Sequence, residues 1–185
     1  MAWRARGEFG YEYFDDPDGY RGYHQDGNGD GDYLPWQAAV EFCRSRGVTS
    51  AVDVGCAKGF LVAELLTSGV DAVGYDVSAY ALSFTRGLPC SRADVRDGVP
   101  RAAEAVFALG VLLYLDEHEL ADVLTNLRRA TGRFLLFSSY YEGDPQDVPD
   151  PLRRITRPGD WWRGRLTHAG FGFDHRGKCF DVYTV

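Results

Sequence analysis

The sequence has no membrane-length apolar run, no apolar stretch at its N-terminus and no cysteine pair at metal-ligand spacing. No apolar run approaches the roughly 18 residues that a membrane helix needs, and the N-terminus has no apolar stretch typical of a secretory signal. The four cysteines, at positions 43, 56, 90 and 179, are widely spaced and include no pair at metal-ligand spacing. We therefore expect a cytoplasmic protein with reduced thiols, no membrane partner and no metal.

The chain also has fewer basic residues than acidic ones, 20 Lys and Arg against 27 Asp and Glu. The formal net charge is −7 and the isoelectric point is about 5.0, whereas a broad nucleic-acid surface needs a basic patch. Five arginines at positions 153, 154, 157, 163 and 165 could still form a local patch. With 185 residues and 45% hydrophobic residues, the chain is expected to form one domain with a real core.

The most informative segment is residues 51–60. An apolar strand carries Asp53 near its end, breaks into a turn with small residues at Gly55, Ala57 and Gly59, and restarts as a helix. Small residues let the backbone approach a ligand, and the helix beyond offers free N–H groups. Asp76 follows 21 residues after Gly55, about where nucleotide-binding α/β folds place an acid that binds ribose. The pattern predicts a site for a nucleoside cofactor.

The details of the turn decide which nucleoside is expected. A dinucleotide fingerprint requires glycine at positions 57 and 60, but the chain has Ala57 and Phe60. Asp53 would repel a pyrophosphate, yet it can accept a hydrogen bond from a cationic amino group. S-adenosylmethionine carries an ammonium group at one end and a ribose at the other. The predicted cofactor is therefore S-adenosyl-L-methionine.

Residues 55–60, Gly-Cys-Ala-Lys-Gly-Phe, and residues 76–81, Asp-Val-Ser-Ala-Tyr-Ala, carry a family resemblance. The chain resembles the class I S-adenosylmethionine-dependent methyltransferases, whose first motif is acid-x-Gly-x-Gly-x-Gly, and a subgroup of them with these two motifs. The resemblance covers residues 50–140 well and the ends loosely. It implies an α/β fold: a Rossmann-like doubly wound sheet of about seven strands, with the last strand antiparallel.

Alternating strand and helix patterns along the chain agree with that fold class. We predict a helix over Pro35–Arg46, strand 1 near residues 50–54 and a helix capped by Ser78. A capping pattern at residues 116 and 119 begins a later helix, which Gly132 is expected to close before a strand over 133–138. The connection over 95–104 is too short for a full helix, so the fold is expected to be trimmed between strands 3 and 4.

The predicted cofactor-binding residues lie at strand ends, where such sheets bind ligands. Asp53 is expected to bind the ammonium group, Asp76 the ribose hydroxyls, Asp94 and the Val95 amide the adenine, and Gly110 the methionine moiety. A solvated turn or cap would explain any one of these acids alone, but three acids in register with a glycine turn favour the cofactor. The full predicted set is Tyr11, Tyr20, Asp53, Gly55, Cys56, Ala57, Gly59, Asp76, Val77, Asp94, Val95, Leu109 and Gly110. Within it, Cys56 is interpreted as a small residue filling a tight turn rather than as a reactive thiol.

The N-terminal residues 1–33 are predicted to form a lid or cap, and residues 34–185 the Rossmann-like core. Tyrosines among Asp and Gly resemble the cap of the same subgroup, where tyrosines approach the methionine carboxylate, which points to Tyr11 and Tyr20. Residues 26–32 also match the first half of a calcium loop. Position twelve of that loop is Gln37 rather than Glu, so an acidic loop is favoured over calcium.

The acceptor side carries fewer signals. Tyr114 stands where the family often has His, and Arg154 stands where relatives have another His, so no dedicated base is evident. Tyr114, Tyr140 and Tyr141 are the candidates for positioning a substrate. The expected partner is a small-molecule methyl acceptor with an O or N nucleophile. A protein or RNA acceptor, and a cofactor-binding protein of this fold without methyl transfer, are the alternatives. The oligomeric state is not predicted.

Overall fold

The computed structural model describes residues 9–18, 35–143 and 150–185. The predicted residues Tyr20 and Asp26–Asp32 lie outside these ranges, as does His24. Within them the chain alternates strands and helices in the order typical of a doubly wound sheet. The helices are α1 (Tyr11–Phe14), α2 (Pro35–Arg46), α3 (Phe60–Thr67), α4 (Ala79–Leu82), α5 (Leu120–Ala130) and α6 (Gly159–His168). The strands are β1 (Ser50–Val54), β2 (Asp71–Asp76), β3 (Cys90–Arg92), β4 (Ala103–Leu109), β5 (Thr131–Ser138), β6 (Gly172–Arg176) and β7 (Asp181–Thr184).

The seven strands form one sheet in the order β3-β2-β1-β4-β5-β7-β6. Strands β1 to β5 pair in parallel, whereas β7 is antiparallel to both β5 and β6. The strand order reverses between β1 and β4, which is the switch point where such sheets bind ligands. The predicted fold class, with its antiparallel last strand, is confirmed.

Two apolar layers cover the sheet. On one face, α5 and α6 bury residues such as Leu124, Leu127 and Trp162 against the strands. On the other, α2 and α3 bury Phe42 and Leu65. Because both faces are covered, the central strand β4 carries an almost continuous apolar run, as a strand buried on both sides must.

Most predicted boundaries hold, and one is wrong. The Ser78 side chain caps α4 by accepting from the Ala81 N–H at 2.9 Å, as predicted. No helix forms between β3 and β4, which agrees with the expected trimming. Gly132, however, does not close α5: that helix ends at Ala130, and Gly132 lies within β5. A Cβ atom at this position would lie 3.1 Å from the Ala103 carbonyl oxygen. The glycine therefore allows β5 to pack closely against β4 instead of ending the helix.

Candidate cofactor and acceptor site

The turn after β1 is wound in the left-handed region that favours glycine. Gly55, Ala57 and Gly59 have φ values of 76°, 45° and 79°. A Cβ atom on Gly55 would lie 2.6 Å from Cγ2 of Val111, so no larger residue fits there. The Gly55 N–H donates to the Tyr75 carbonyl at 2.7 Å, which holds the turn against the end of β2. Gly59 then leads directly into α3.

Asp76 ends β2 beside this turn and binds it through backbone hydrogen bonds. Its Oδ2 accepts from the Ala57 N–H at 2.8 Å, and its Oδ1 accepts from the Ser78 N–H at 2.7 Å. Burial raises the pKa of Asp76, and the backbone N–H donors oppose that rise. Each carboxylate oxygen has a second acceptor position, so two further donors from a ligand can be bound.

Asp53 is buried on β1 in a different way. Its side chain is 5% exposed, and no residue in the described ranges donates a hydrogen bond to it. Burial, with Cys90 and Asp76 nearby, raises the pKa of Asp53 well above its ordinary value. A buried carboxyl group at the switch point without a described donor is suited to a cationic ligand, because such a ligand would stabilise its charged form.

Residues 9–18, which we call the cap segment, pack over the turn. The Ser78 hydroxyl donates to the Phe9 carbonyl at 2.6 Å. Asp15 accepts from the Lys58 ammonium at 2.5 Å and from the Tyr80 hydroxyl at 2.6 Å. Lys58 is only 3% exposed, and its ammonium also lies 4.8 Å from the centre of the Phe84 ring. The ion pair therefore holds the cap segment against the glycine turn, and the Phe84 ring packs on the ammonium group that makes it.

Two tyrosines and an aspartate join the cap segment to the acceptor side. The hydroxyls of Tyr13 and Tyr114 are 2.6 Å apart, and both lie within hydrogen-bond distance of Oδ2 of Asp150, at 3.2 and 2.8 Å. Phe9 packs edge-on against both tyrosine rings. Burial, with Tyr13 and Asp150 beside it, strongly raises the pKa of Tyr114, which keeps its hydroxyl protonated. Sequence reasoning missed Tyr13 and Asp150, since nothing local marks them as partners of Tyr114.

Tyr11 lies on the cap segment but points away from its buried face. Its side chain is 48% exposed, and its ring lies edge-on to Tyr80. Tyr13 and Phe14 are the buried aromatics and pack near Ala57. A role of Tyr11 at the cofactor stays a prediction.

Asp94 and Val95 follow β3, as expected, and the next residue, Arg96, binds the Asp94 carboxylate. The Arg96 guanidinium makes paired contacts to the Asp94 carboxylate, the shortest at 2.8 Å, and a further bond to Glu119 at 3.0 Å. The Val95 carbonyl accepts from the Asn126 amide at 2.9 Å. This network orients Asp94, and any adenine amino group would share its oxygens with Arg96.

The remaining predicted cofactor residues line the same edge. Val77 is half-buried between Asp76 and the cap residue of α4, and Leu109 is half-buried at the end of β4. Gly110 has a φ of 64°, and its N–H donates to the Ser138 carbonyl at 3.0 Å. Cys56 is buried, 2% exposed, beneath the turn.

Tyr140 and Tyr141 follow β5, but they contact other partners than Tyr114 does. Tyr140 is 38% exposed and lies under the Arg153 guanidinium, 4.9 Å from its ring centre. The Tyr141 hydroxyl donates to Asp181 at 3.4 Å. Burial and Asp181 raise the pKa of Tyr141 to about 12. Their roles in positioning a substrate stay predictions.

No described histidine is placed as a buried general base. His118, His168 and His175 are all exposed. One group in the described ranges, Asp116, His118 and Glu119, has the spacing of metal ligands. Arg154 pairs with Asp116 at 2.8 Å and Arg96 pairs with Glu119 at 3.0 Å, so both carboxylates already face cations.

Comparison with known proteins identifies the fold. No protein-family model matches the chain, and no curated protein matches it by sequence. Among solved structures, it is similar to a sugar N-methyltransferase from Streptoalloteichus, with a TM-score of 0.68 and 18% identity over 86% of this chain and 90% of that one. It is also similar to a magnesium protoporphyrin IX methyltransferase from Synechocystis with bound S-adenosylmethionine, with a TM-score of 0.65 and 18% identity over 84% and 85% of the chains. The chain has the fold of class I methyltransferases.

A third structure of this methyltransferase fold, an S-adenosylmethionine-dependent methyltransferase from Archaeoglobus fulgidus, gives a TM-score of 0.60 and 15% identity over 78% and 76% of the chains. The three similarities extend over most of each chain. In the described ranges, no helix has both the length and the apolar character needed to cross a bilayer.

Proposed function

We propose that the protein is an S-adenosylmethionine-dependent methyltransferase that methylates an oxygen or nitrogen atom of a small molecule. The observation that carries this proposal is the pair of buried carboxyl groups at the switch point. Asp53 is 5% exposed and Asp76 is 9% exposed, and they flank a turn that only small residues can form. A cationic amino group and a ribose diol are the two groups that this arrangement suits.

The residues fit the cofactor one by one. Asp53 would accept from the ammonium group, and the second acceptor positions of Asp76 would bind the ribose hydroxyls. Asp94, held by Arg96, and Val95 would face the adenine. When bound, the cofactor supplies an electrophilic methyl group on a sulfonium centre. The work of the chain is then to orient the acceptor and exclude water.

The cap segment and the carboxyl end of β4 are suited to that work. Tyr13 and Phe14 cover the glycine turn, and Tyr114 continues that aromatic surface toward Asp150. Beside Asp150 lies an open surface depression of about 390 Å³, lined also by Pro151, Arg153 and Thr156. We assign acceptor binding to this side, where Tyr140 supports Arg153.

A small-molecule acceptor is favoured over a macromolecular one by the pairing of the arginines. Arg154 pairs with Asp116, Arg157 with Glu117 at 2.5 Å, and Arg163 with Asp160 at 3.4 Å. Charges neutralised within the chain contribute little to phosphate binding, so the basic patch that RNA would need is weakened. Sugar and porphyrin acceptors of the similar structures agree with a small molecule without specifying one.

No histidine in the described ranges is buried, so none is placed as a general base. This observation supports the alternative of a cofactor-binding protein without methyl transfer. An acceptor that is an amine or an acidic hydroxyl needs little help from a base, because proximity and alignment supply most of the rate. The proposal therefore favours acceptors of those two kinds.

Two measurements test the proposal in sequence. Isothermal titration should detect S-adenosylhomocysteine binding and show weaker binding of NAD, since Asp53 opposes a pyrophosphate. A screen of small amines and phenols with methyl-labelled cofactor should then yield turnover. Tighter binding of NAD would overturn the cofactor assignment. Tight binding of S-adenosylhomocysteine without turnover on any acceptor class would favour the non-methylating alternative.

A further inference from the structure

Two of the four cysteines lie together beneath the glycine turn. Cys56 belongs to the turn itself, and Cys90 begins β3, opposite Gly74 in the β2–β3 pairing. The position that a Cβ atom would occupy on Gly74 is 2.7 Å from the Cys56 sulfur and 2.9 Å from the Cys90 sulfur. The two sulfurs therefore converge over Gly74, which lacks the side chain that would separate them.

The two thiols differ in their surroundings. Cys56 is buried, whereas Cys90 is half-buried and can be reached from solvent. Around this pair the Gly74 N–H donates to the Pro89 carbonyl at 3.1 Å, and the Thr85 hydroxyl donates to the Leu82 carbonyl at 2.8 Å. The neighbouring Cys56 thiol lowers the pKa of Cys90, while the neighbouring Cys90 sulfur and burial raise the pKa of Cys56. One accessible sulfur thus has a buried thiol beside it.

We propose that Cys56 and Cys90 form an oxidisable thiol pair, which a peroxide converts to an intramolecular disulfide under the glycine turn. Cys90 is the attacking thiol and Cys56 the resolving thiol. Cys56 belongs to the turn of the proposed cofactor site, but the oxidation involves only the two side chains and a peroxide, so it can be tested without methyl transfer.

The reaction balances in two steps. The Cys90 thiol loses its proton, and the thiolate attacks one peroxide oxygen as the O–O bond breaks. Cys90 becomes a sulfenic acid, and the departing hydroxide takes up the released proton as the first water. The Cys56 sulfur then attacks the Cys90 sulfur, an S–S bond forms, and the departing hydroxide takes the Cys56 proton as water. Both thiols are oxidised, and one hydrogen peroxide is reduced to two waters.

The test uses the reduced full chain and hydrogen peroxide as the probe. After treatment, free thiols are blocked under denaturing conditions and the protein is digested with trypsin. We expect peptide 47–58, which contains Cys56, to be cross-linked to peptide 87–92, which contains Cys90. Cys43 and Cys179 should remain free thiols during the treatment and should therefore be found alkylated. Peroxide should consume Cys90 about tenfold faster than Cys179, which has no partner thiol among the described residues.

Variants separate the two roles. Cys56→Ser should stop the cross-link and let dimedone trap a sulfenic acid on Cys90. Cys90→Ser should stop the cross-link and leave Cys56 unreactive, and Cys179→Ser is the matched control that should behave as wild type. Gly74→Ala should slow the cross-link if it folds, and the cysteine variants decide the matter if it does not. Equal oxidation of Cys90 and Cys179, a disulfide between two chains, or a Cys56 adduct in Cys90→Ser would overturn the proposal.

Discussion

The glycine-turn half of the site and the cap half are built from different kinds of interaction. Around the turn, carboxylates bind backbone N–H groups: Asp76 accepts from Ala57 and Ser78. In the cap half, side chains bind side chains from remote segments, as Tyr13 binds Tyr114 and Asp150. Backbone partners follow from local chain geometry, whereas the side-chain partners meet only because the sheet brings their segments together. The first half is therefore expected to be rigid, and the second to depend on how the cap segment docks.

The largest expected effect is on the turn half. Asp76→Ala should weaken S-adenosylhomocysteine binding by about 3 kcal/mol, since the ribose and the turn both lose charge-assisted hydrogen bonds. Isothermal titration measures the change. Asp71→Ala, at the other end of the same strand and on the surface, is the matched control and should bind like wild type. Equal affinity of the Asp76 variant and wild type would remove Asp76 from the site.

The next effect compares two glycines at strand ends, one packed against Val111 and one beside open space. Gly55→Ala should lower the free energy of unfolding by about 2–3 kcal/mol, because φ is 76° and the new Cβ would lie 2.6 Å from Val111. Gly110→Ala has the φ strain at 64° but nothing within 4 Å, so about 1 kcal/mol is expected. Urea denaturation measures both. Equal losses would show that the tight packing of the turn on Val111 contributes nothing.

Replacing Asp53 should change the stability of the protein and its affinity for the cofactor in opposite directions. Asp53→Asn should raise the thermal midpoint of the ligand-free protein, because a buried ionisable group is replaced by a neutral one. It should also weaken S-adenosylhomocysteine binding by about 1–2 kcal/mol through loss of a charge-assisted bond. Calorimetry and titration on the same samples check both signs. A variant that loses stability and binds normally would contradict the assigned role.

The pH dependence of stability follows from the same group. Burial raises the pKa of Asp53 in the folded state above its pKa in the unfolded chain. The contribution of Asp53 to the free energy of unfolding is therefore fully present below the unfolded-state pKa, and it is lost as pH rises through the folded-state pKa. The pKa of Asp76 is raised as well. The thermal midpoint of the ligand-free protein should therefore fall as pH rises from the unfolded-state to the folded-state pKa, and it should fall less steeply in Asp53→Asn. A cationic ligand should reverse the trend, since pairing lowers the pKa and binding then tightens with pH.

The smallest effects belong to the cap half. Tyr13→Phe removes a hydroxyl that lies 2.6 Å from that of Tyr114, and about 1 kcal/mol of cap docking should be lost. Hydrogen exchange of residues 9–18 should quicken, while exchange in β1 stays unchanged. Tyr140→Phe, at a side chain 38% exposed, is the control and should change exchange in neither segment. Faster exchange in β1 would mean that the two halves form one cooperative unit.

Several features of the fold were predictable because their signals are local. The strand near residues 50–54, the Ser78 cap and the turn of small residues each depend on a few neighbouring residues, and the structure has all three. The prediction at Gly132 was wrong because glycine after a helix pattern is usually a C-cap, whereas here close contact between strands requires it. Close strand contact is a tertiary condition that no local pattern records.

The sequence by itself determined the alternating α/β order, the glycine turn and the strand-end acids, since periodicity and turn chemistry act over short distances along the chain. Only the tertiary structure decided which side chains meet across the sheet. Arg96 holds Asp94, Asp15 neutralises the buried Lys58, Asp150 joins two tyrosine hydroxyls, and Cys56 meets Cys90 over Gly74. The physical reason is that hydrogen bonds and ion pairs between remote segments need a position and orientation for each partner, and parallel strand order supplies these only once the sheet has formed.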